Sequence, residues 1–307
     1  MRIRATVAAV TGALALSAFA VPAAQATDNT PSKADAFKAL HQAASGKTAF
    51  TGETAEDGEP YALNATFSAV KVNNGKPIVA GTTGVVSVPV TFTVTHSADV
   101  NLNAADTDVD VFIYRGTLAD PTNLLLGDDW PSCVAASATV SNCKGTVDIY
   151  AAEELSNADA TTWKAAGWIA DYNDQADVEF EDIDWSKVGY TEQDNLTTAR
   201  LQRLTKLTVN ASPEPVKKGA NLSVTGRLTI ANWDTGTYTG YAGVYAQAQI
   251  RRAGTTAYSG IKFVKTTSTG GLSTTVTATV DGYYRYSFAG TNAATASVAA
   301  GDYVDVR

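Results

Sequence analysis

Two stretches of the chain space oxygen-bearing side chains as a hard cation would require. Asp106, Asp108 and Asp110 alternate with Thr107 and Val109, the spacing with which an EF-hand loop begins. Val111 stands where that loop needs its glycine, and Thr117 where it needs an acid. In an extended chain the three acids share one face at intervals of about 6.6 Å. Two of them could share an ion, whereas all three converge only if the chain curls around Asp106. The second stretch puts Asp171, Asn173, Gln175, Asp177, Glu179 and Asp182 at positions 1, 3, 5, 7, 9 and 12 of the same frame, with Ala176 at the glycine position. Calcium is the ion that such donors select. The competing reading of the same residues is a solvated acidic surface.

Other chemistry has less to work with. Serine-type catalysis needs a base beside the nucleophile. The only histidines are His41, in the N-terminal leader, and His96, at the end of a strand pattern. No serine lies in a G-x-S-x-G sequence. Zinc would need more nitrogen and sulfur ligands than two distant histidines and two cysteines supply. A carboxylate pair could run a glycosidase, but no pair among the many acids stands out. Of the five tryptophans, Trp163 and Trp168 sit in a strand pattern and read as core. Trp130, between Asp129 and Pro131, and Trp233, in a turn-rich stretch, are expected to be exposed contact residues.

Cys133 and Cys143 are the only cysteines. Their separation suits a disulfide across a hairpin, provided that the chain reaches an oxidising compartment. The N-terminus says that it does. Arg2 and Arg4 precede a run of small and apolar residues, and Ala24-Gln25-Ala26 fits signal-peptidase cleavage. Residues 1–26 thus read as a secretory signal, too short for a membrane span. No later run is long and apolar enough to suggest an anchor.

The remaining chain divides by pattern and by charge. Residues 27–60 read as a leader, mostly disordered, with one short helix capped by Ser32 and carrying Ala36, Phe37, Leu40 and Ala44 on one face. From Tyr61 onward the apolar period is two. Val86, Val88, Val90, Phe92 and Val94 alternate with polar residues and proline, and Val109, Val111 and Ile113 continue the pattern. Residues 173–194 are acidic and read as a long loop. Residues 200–307 hold seven short strand patterns separated by turn signals, the count of an immunoglobulin-like sandwich. Tyr284, Tyr286 and Phe288 are expected to face its core, and Tyr283, Arg285 and Ser287 to face outward. Residues 27–199 carry 9 basic and 26 acidic residues, net −17, while residues 200–307 carry 12 and 5, net +7. The expectation is an all-β chain of two immunoglobulin-like β-sandwich domains, an acidic one over 61–199 and a basic one over 200–307. The overall acidity argues against nucleic acid as the partner.

Several stretches carry a family likeness: Leu204–Gly219, Val224–Leu228, Tyr238–Gly240, Gly270–Ser273, Asp281–Arg285 and the ending Val304–Arg307, with a weaker echo in the cysteine pair and Asp159–Trp163. The chain resembles uncharacterised secreted actinobacterial proteins with a C-terminal bacterial immunoglobulin-like domain. Some of these carry the generic name calcium-binding protein. The resemblance implies the sandwich fold and export, and it supplies no functional residues. The function expected is that of a secreted, non-catalytic binding or structural protein. Its partner would be an extracellular protein or glycan, met at loops or at a sheet edge, with no cofactor. A calcium-binding protein is the first alternative and an extracellular hydrolase the second.

Overall fold

A computed structural model describes residues 32–45 and 58–307. The signal segment and most of the leader lie outside the described residues. The first elements are α1 (Lys33–Ala44), β1 (Tyr61–Ala62), β2 (Ala65–Val72), β3 (Ile78–Ala80), β4 (Val85–His96), β5 (Thr107–Gly116), β6 (Pro121–Leu125), β7 (Ser132–Ser137), β8 (Val140–Tyr150), α2 (Ala151–Glu154), β9 (Thr162–Asp171) and β10 (Gly189–Arg203). Then come β11 (Thr205–Leu207), β12 (Asn210–Ser212), β13 (Asn221–Asn232), β14 (Thr237–Gly240), β15 (Tyr245–Arg252), β16 (Ser259–Lys265), β17 (Gly271–Thr277), β18 (Gly282–Phe288), β19 (Ser297–Val298) and β20 (Asp302–Val304). The chain is all-β and forms two compact units. The second unit takes in residues 76–86 and 149–163 as well as everything from Ala199 to the end.

In the first unit one sheet orders β1-β10-β9-β5-β6 and the other β2-β4-β8-β7. They pack face to face. A Cβ on Gly167 of β9 would come within 2.8 Å of the Phe67 ring of β2, so glycine is what lets the layers close there. The outer face of the first sheet is covered too. α1 lays Ala36, Phe37, Leu40 and Ala43 on it, with the Phe37 ring 4.7 Å from that of Phe112 and 6.4 Å from that of Trp168. Ala43, not Ala44, completes the apolar stripe. Ser32 caps the helix in a capping box with Asp35, which satisfies donors at both positions. Burial from both sides explains why β5 hides eight consecutive residues, Thr107 to Tyr114, where alternation foretold only one buried face.

Two expectations need correction. The helix of the leader is no isolated marginal turn, because a sheet face buries its stripe. The acidic stretch expected to be a loop to residue 194 ends earlier, since Gly189–Arg203 is a 15-residue strand. Its polar residues are consumed inside the fold. Glu192 takes the Tyr190 hydroxyl, Gln193 Oε1 accepts the Phe67 N–H at 2.9 Å, and Asp194 accepts the Tyr114 hydroxyl.

The second unit is immunoglobulin-like by its own pairing. One sheet holds β12, β13 and β17, with β11 and β14 also on β13. The other orders β16-β15-β18, with β19 and β20 on the far edge of β18. The ten strands thus divide between two five-stranded sheets, with β16 pairing antiparallel to β15. Tyr284, Tyr286 and Phe288 are buried between the sheets as their alternation foretold. The Tyr286 hydroxyl donates to the Val224 carbonyl at 2.8 Å and ties one sheet to the other. Gly226 makes room for it, since a Cβ there would stand 3.0 Å from the Tyr286 ring and 2.4 Å from the Thr208 carbonyl oxygen.

Candidate binding face

Residues directly opposite each other in an antiparallel sheet project from the same face. In the second unit this rule gathers one set of side chains on the outside of the sheet built from β15, β16, β18 and β20. Lys265 stands opposite Tyr245. Gln247 lies between Phe263 and Ser287. Gln249 stands opposite Arg285, and Tyr283 lies between Arg251 and Tyr303. The alternate residues Ala246, Ala248 and Tyr284 fill the core.

These groups stack in a continuous ladder. The Tyr283 and Tyr303 ring centroids are 5.1 Å apart. The Arg251 guanidinium lies 3.9 Å from the Tyr283 ring centroid and 5.5 Å from that of Tyr258. The Arg285 guanidinium lies 3.5 Å from the Tyr258 ring centroid. Its Nε donates to Gln249 Oε1 at 2.8 Å, and Gln249 Nε2 donates onward to Gln247 Oε1 at 2.8 Å. Arg251 Nη1 donates to the Thr255 carbonyl. Two glycines admit these side chains. A Cβ on Gly301 would fall 2.1 Å from the Tyr258 hydroxyl, and one on Gly260 would fall 2.3 Å from Gln247 Nε2. The arginines are thus held against the rings, and a guanidinium is the group best suited to pair with an anion.

The charge is one-sided. From Tyr241 to the end of β20 the cations are Arg251, Arg252, Lys262, Lys265 and Arg285, against the acids Asp281 and Asp302, the latter accepting the Ala211 N–H. Asp281 Oδ1 is engaged by the Val306 N–H at 2.8 Å. Neither Arg251 nor Arg285 forms an ion pair with a carboxylate among the described residues. Phe263 and Tyr245 are 67% and 58% exposed at the β16 side. β16 is the outer strand, yet Lys262, Lys265 and the register shift at Ala248/Gln249 are the devices that discourage strand addition.

Other residues singled out by sequence have different fates. Cys133 and Cys143 stand opposite each other in the β7–β8 hairpin and form the disulfide. Asp108 and Asp110 are buried in β5. Lys33 of α1 reaches Asp110 Oδ2 at 3.3 Å, so an ammonium sits where the calcium reading put an ion. The same Lys33 donates to the Asp129 carbonyl at 2.6 Å and lies 4.3 Å from the centre of the Trp130 ring. Burial pushes the Asp110 carboxyl up to about 6, against the opposing pull of Lys33. The two acidic stretches do meet, because Asp171 stands beside Thr107 and its neighbour Asp106. Burial raises the Asp171 carboxyl, and the charges of Asp106 and Asp99 add to the rise. Asn173 spends its side-chain amide as a donor to the Tyr61 hydroxyl and to the carbonyls of Asp171 and Lys187. Asp177, Glu179 and Asp182 are exposed. No group of three or more His, Cys, Asp and Glu side chains among the described residues could hold a metal ion.

Both tryptophans expected to be exposed contacts are otherwise engaged. Trp233 is 3% exposed, and its Nε1 donates to the Gly81 carbonyl at 2.7 Å. Its turn is clamped by Asn157, whose Oδ1 accepts the Trp233 N–H and whose Nδ2 donates to Asn232 Oδ1. Trp130 is half-buried, packed edge-on against Trp168 with ring centroids 5.7 Å apart. His41 lies on the ordered helix and shares Glu192 Oε2 with Tyr190, each at 2.8 Å. The hydrogen bond that the imidazole donates to Glu192 raises it above its ordinary value, and burial opposes the rise. His96 does approach a serine, with Nε2 3.2 Å from Ser141 Oγ. Both are buried, and Nδ1 faces the Ser97 carbonyl instead of a carboxylate, so no substrate carbonyl reaches that hydroxyl.

No family model and no curated protein matches the chain. Among solved structures it is similar to the ectodomain of mouse nectin-like molecule 4 (13% identity, 80% of this chain and 65% of that one, TM-score 0.21). It is also similar to bovine butyrophilin (9% identity, 71% and 92%, TM-score 0.30) and to the tandem Ig repeats of Dlar (10% identity, 80% and 100%, TM-score 0.17). The chain spans less than two thirds of the nectin-like ectodomain. No helix among the described residues is long and apolar enough to cross a membrane.

Proposed function

We propose that the chain is a secreted, non-catalytic binding protein that engages an anionic extracellular partner through the outer face of its second unit. The observation that carries this reading is the Tyr303–Tyr283–Arg251–Tyr258–Arg285 ladder. Tyrosine and arginine are the residue types that carry most of the energy at recognition surfaces. Here they are held in place before any partner arrives, which reduces the ordering cost of binding. The signal-like N-terminus and the Cys133–Cys143 disulfide fit an exported chain. The test is co-sedimentation of the full chain with the envelope fraction of the culture that produces it. The wild type is expected in the pellet and the Arg251→Gln/Arg285→Gln variant in the supernatant. Equal sedimentation of the two would overturn the reading.

A further inference from the structure

The ladder's construction bears on what kind of anion it receives. A protein partner would be gripped by side chains that enter its pockets as anchors, buried at the centre of the contact. The rings on this face are poorly placed for that. Two guanidiniums lie against Tyr258, and Tyr283 stands between Arg251 and Tyr303 in the sheet. The side chains between the arginines and Phe263 are Gln249 and Gln247, bonded to each other and to Arg285. What remains outward is a series of amide and guanidinium edges, with Tyr303 open at one end and Phe263 and Tyr245 at the other.

Resting on the reading above, we infer that the occupant is an acidic polysaccharide, an extended glycan bearing carboxylate or phosphate groups along its length. Its sugar rings lie on the exposed rings of Phe263, Tyr245 and Tyr303 through their apolar faces. The glutamine amides meet its hydroxyls. Its anionic groups meet Arg251, Arg285 and Lys265, which no carboxylate of the described chain neutralises through an ion pair. Two guanidiniums beside one ring on an open face suit a polymer whose charge repeats better than a single small anion, which needs a closed site.

The experiment is isothermal titration of the full chain with three probes of matched length: polygalacturonate, neutral dextran and polyglutamate. Polygalacturonate is expected to bind, dextran to bind at least tenfold more weakly, and polyglutamate likewise. Arg251→Gln/Arg285→Gln should weaken polygalacturonate binding at least tenfold. Lys217→Gln/Lys218→Gln removes the same charge from two exposed lysines off the face and should leave it unchanged. A third variant, Phe263→Ser, changes an exposed side chain without touching the ladder and should weaken binding severalfold. Equal affinity for polyglutamate and polygalacturonate would overturn the inference in favour of an acidic protein. Equal loss in both double variants would reduce it to net charge. If polygalacturonate does not bind while the envelope test still separates wild type from the arginine variant, the inference falls and the binding reading stands.

Discussion

Lys33 and Asp110 form the most consequential charged contact in the first unit. Both are buried, and removing one leaves the other without compensation. Lys33→Met is expected to cost about 3–5 kcal/mol at pH 7.5. The pH dependence has a definite sign. The folded Asp110 carboxyl titrates near 6, above an unfolded value of about 3.9. A raised carboxyl gives its stabilising contribution below the unfolded value and loses it as pH rises through the folded one. At pH 4.5 the acid can carry its proton into the dry site, so Lys33→Met should cost less there. Urea unfolding at the two pH values measures this, and an equal loss at both contradicts it. His41 offers a second test. Its imidazole is raised by Glu192, so the contact stabilises the fold below about 6.5 and fades as pH rises through the folded value. An NMR titration should give a His41 midpoint above about 6.5 that falls in Glu192→Gln; a wild-type midpoint below it would refute the assignment.

Single elements carry separable parts of the stability. The disulfide closes a short hairpin loop between β7 and β8. Cys133→Ser/Cys143→Ser should therefore cost about 3 kcal/mol by loop entropy, read as a lower midpoint in urea with little change in slope. Gly226→Ala should unfold the second unit more readily by about 1–3 kcal/mol, because the new methyl meets the Thr208 carbonyl and the Tyr286 ring. A variant as stable as the wild type would mean that β13 can shift away from β18. The elements also explain what was legible in sequence. The tyrosines of β18 sorted into core and surface correctly, since alternation alone decides which side of a sheet a residue faces. β10 was hidden because its middle is polar, and only the finished fold supplies the partners that Glu192, Gln193 and Asp194 engage. Trp233 was misread because its turn signals are genuine, whereas the carbonyl that receives its N–H belongs to Gly81, far away in sequence. The calcium frames failed to anticipate Lys33 for the same reason: its ammonium reaches Asp110 from 77 positions earlier.

At the scale of the molecule, charge separates the chain into an acidic first part and a basic second part, and the basic part bears the ladder. Charge alone marked the region but not the face. That required the register of β15, β16, β18 and β20, which places residues as distant as Tyr245 and Tyr303 on one surface. Attraction to an anionic partner of this kind is screened by salt, so retention on the envelope fraction should fall as ionic strength rises from about 0.05 to 0.5 M. A footprint by tyrosine iodination, read by mass spectrometry with and without the envelope fraction, tests the face most directly. Tyr245 and Tyr303 are open on the ladder surface, and Tyr61, 44% exposed in the first unit, is the internal control. Binding through the ladder is expected to protect Tyr245 and Tyr303 severalfold while Tyr61 reacts as before. Protection of Tyr61 alone, or unchanged reaction of Tyr245 and Tyr303 in the bound chain, would contradict it.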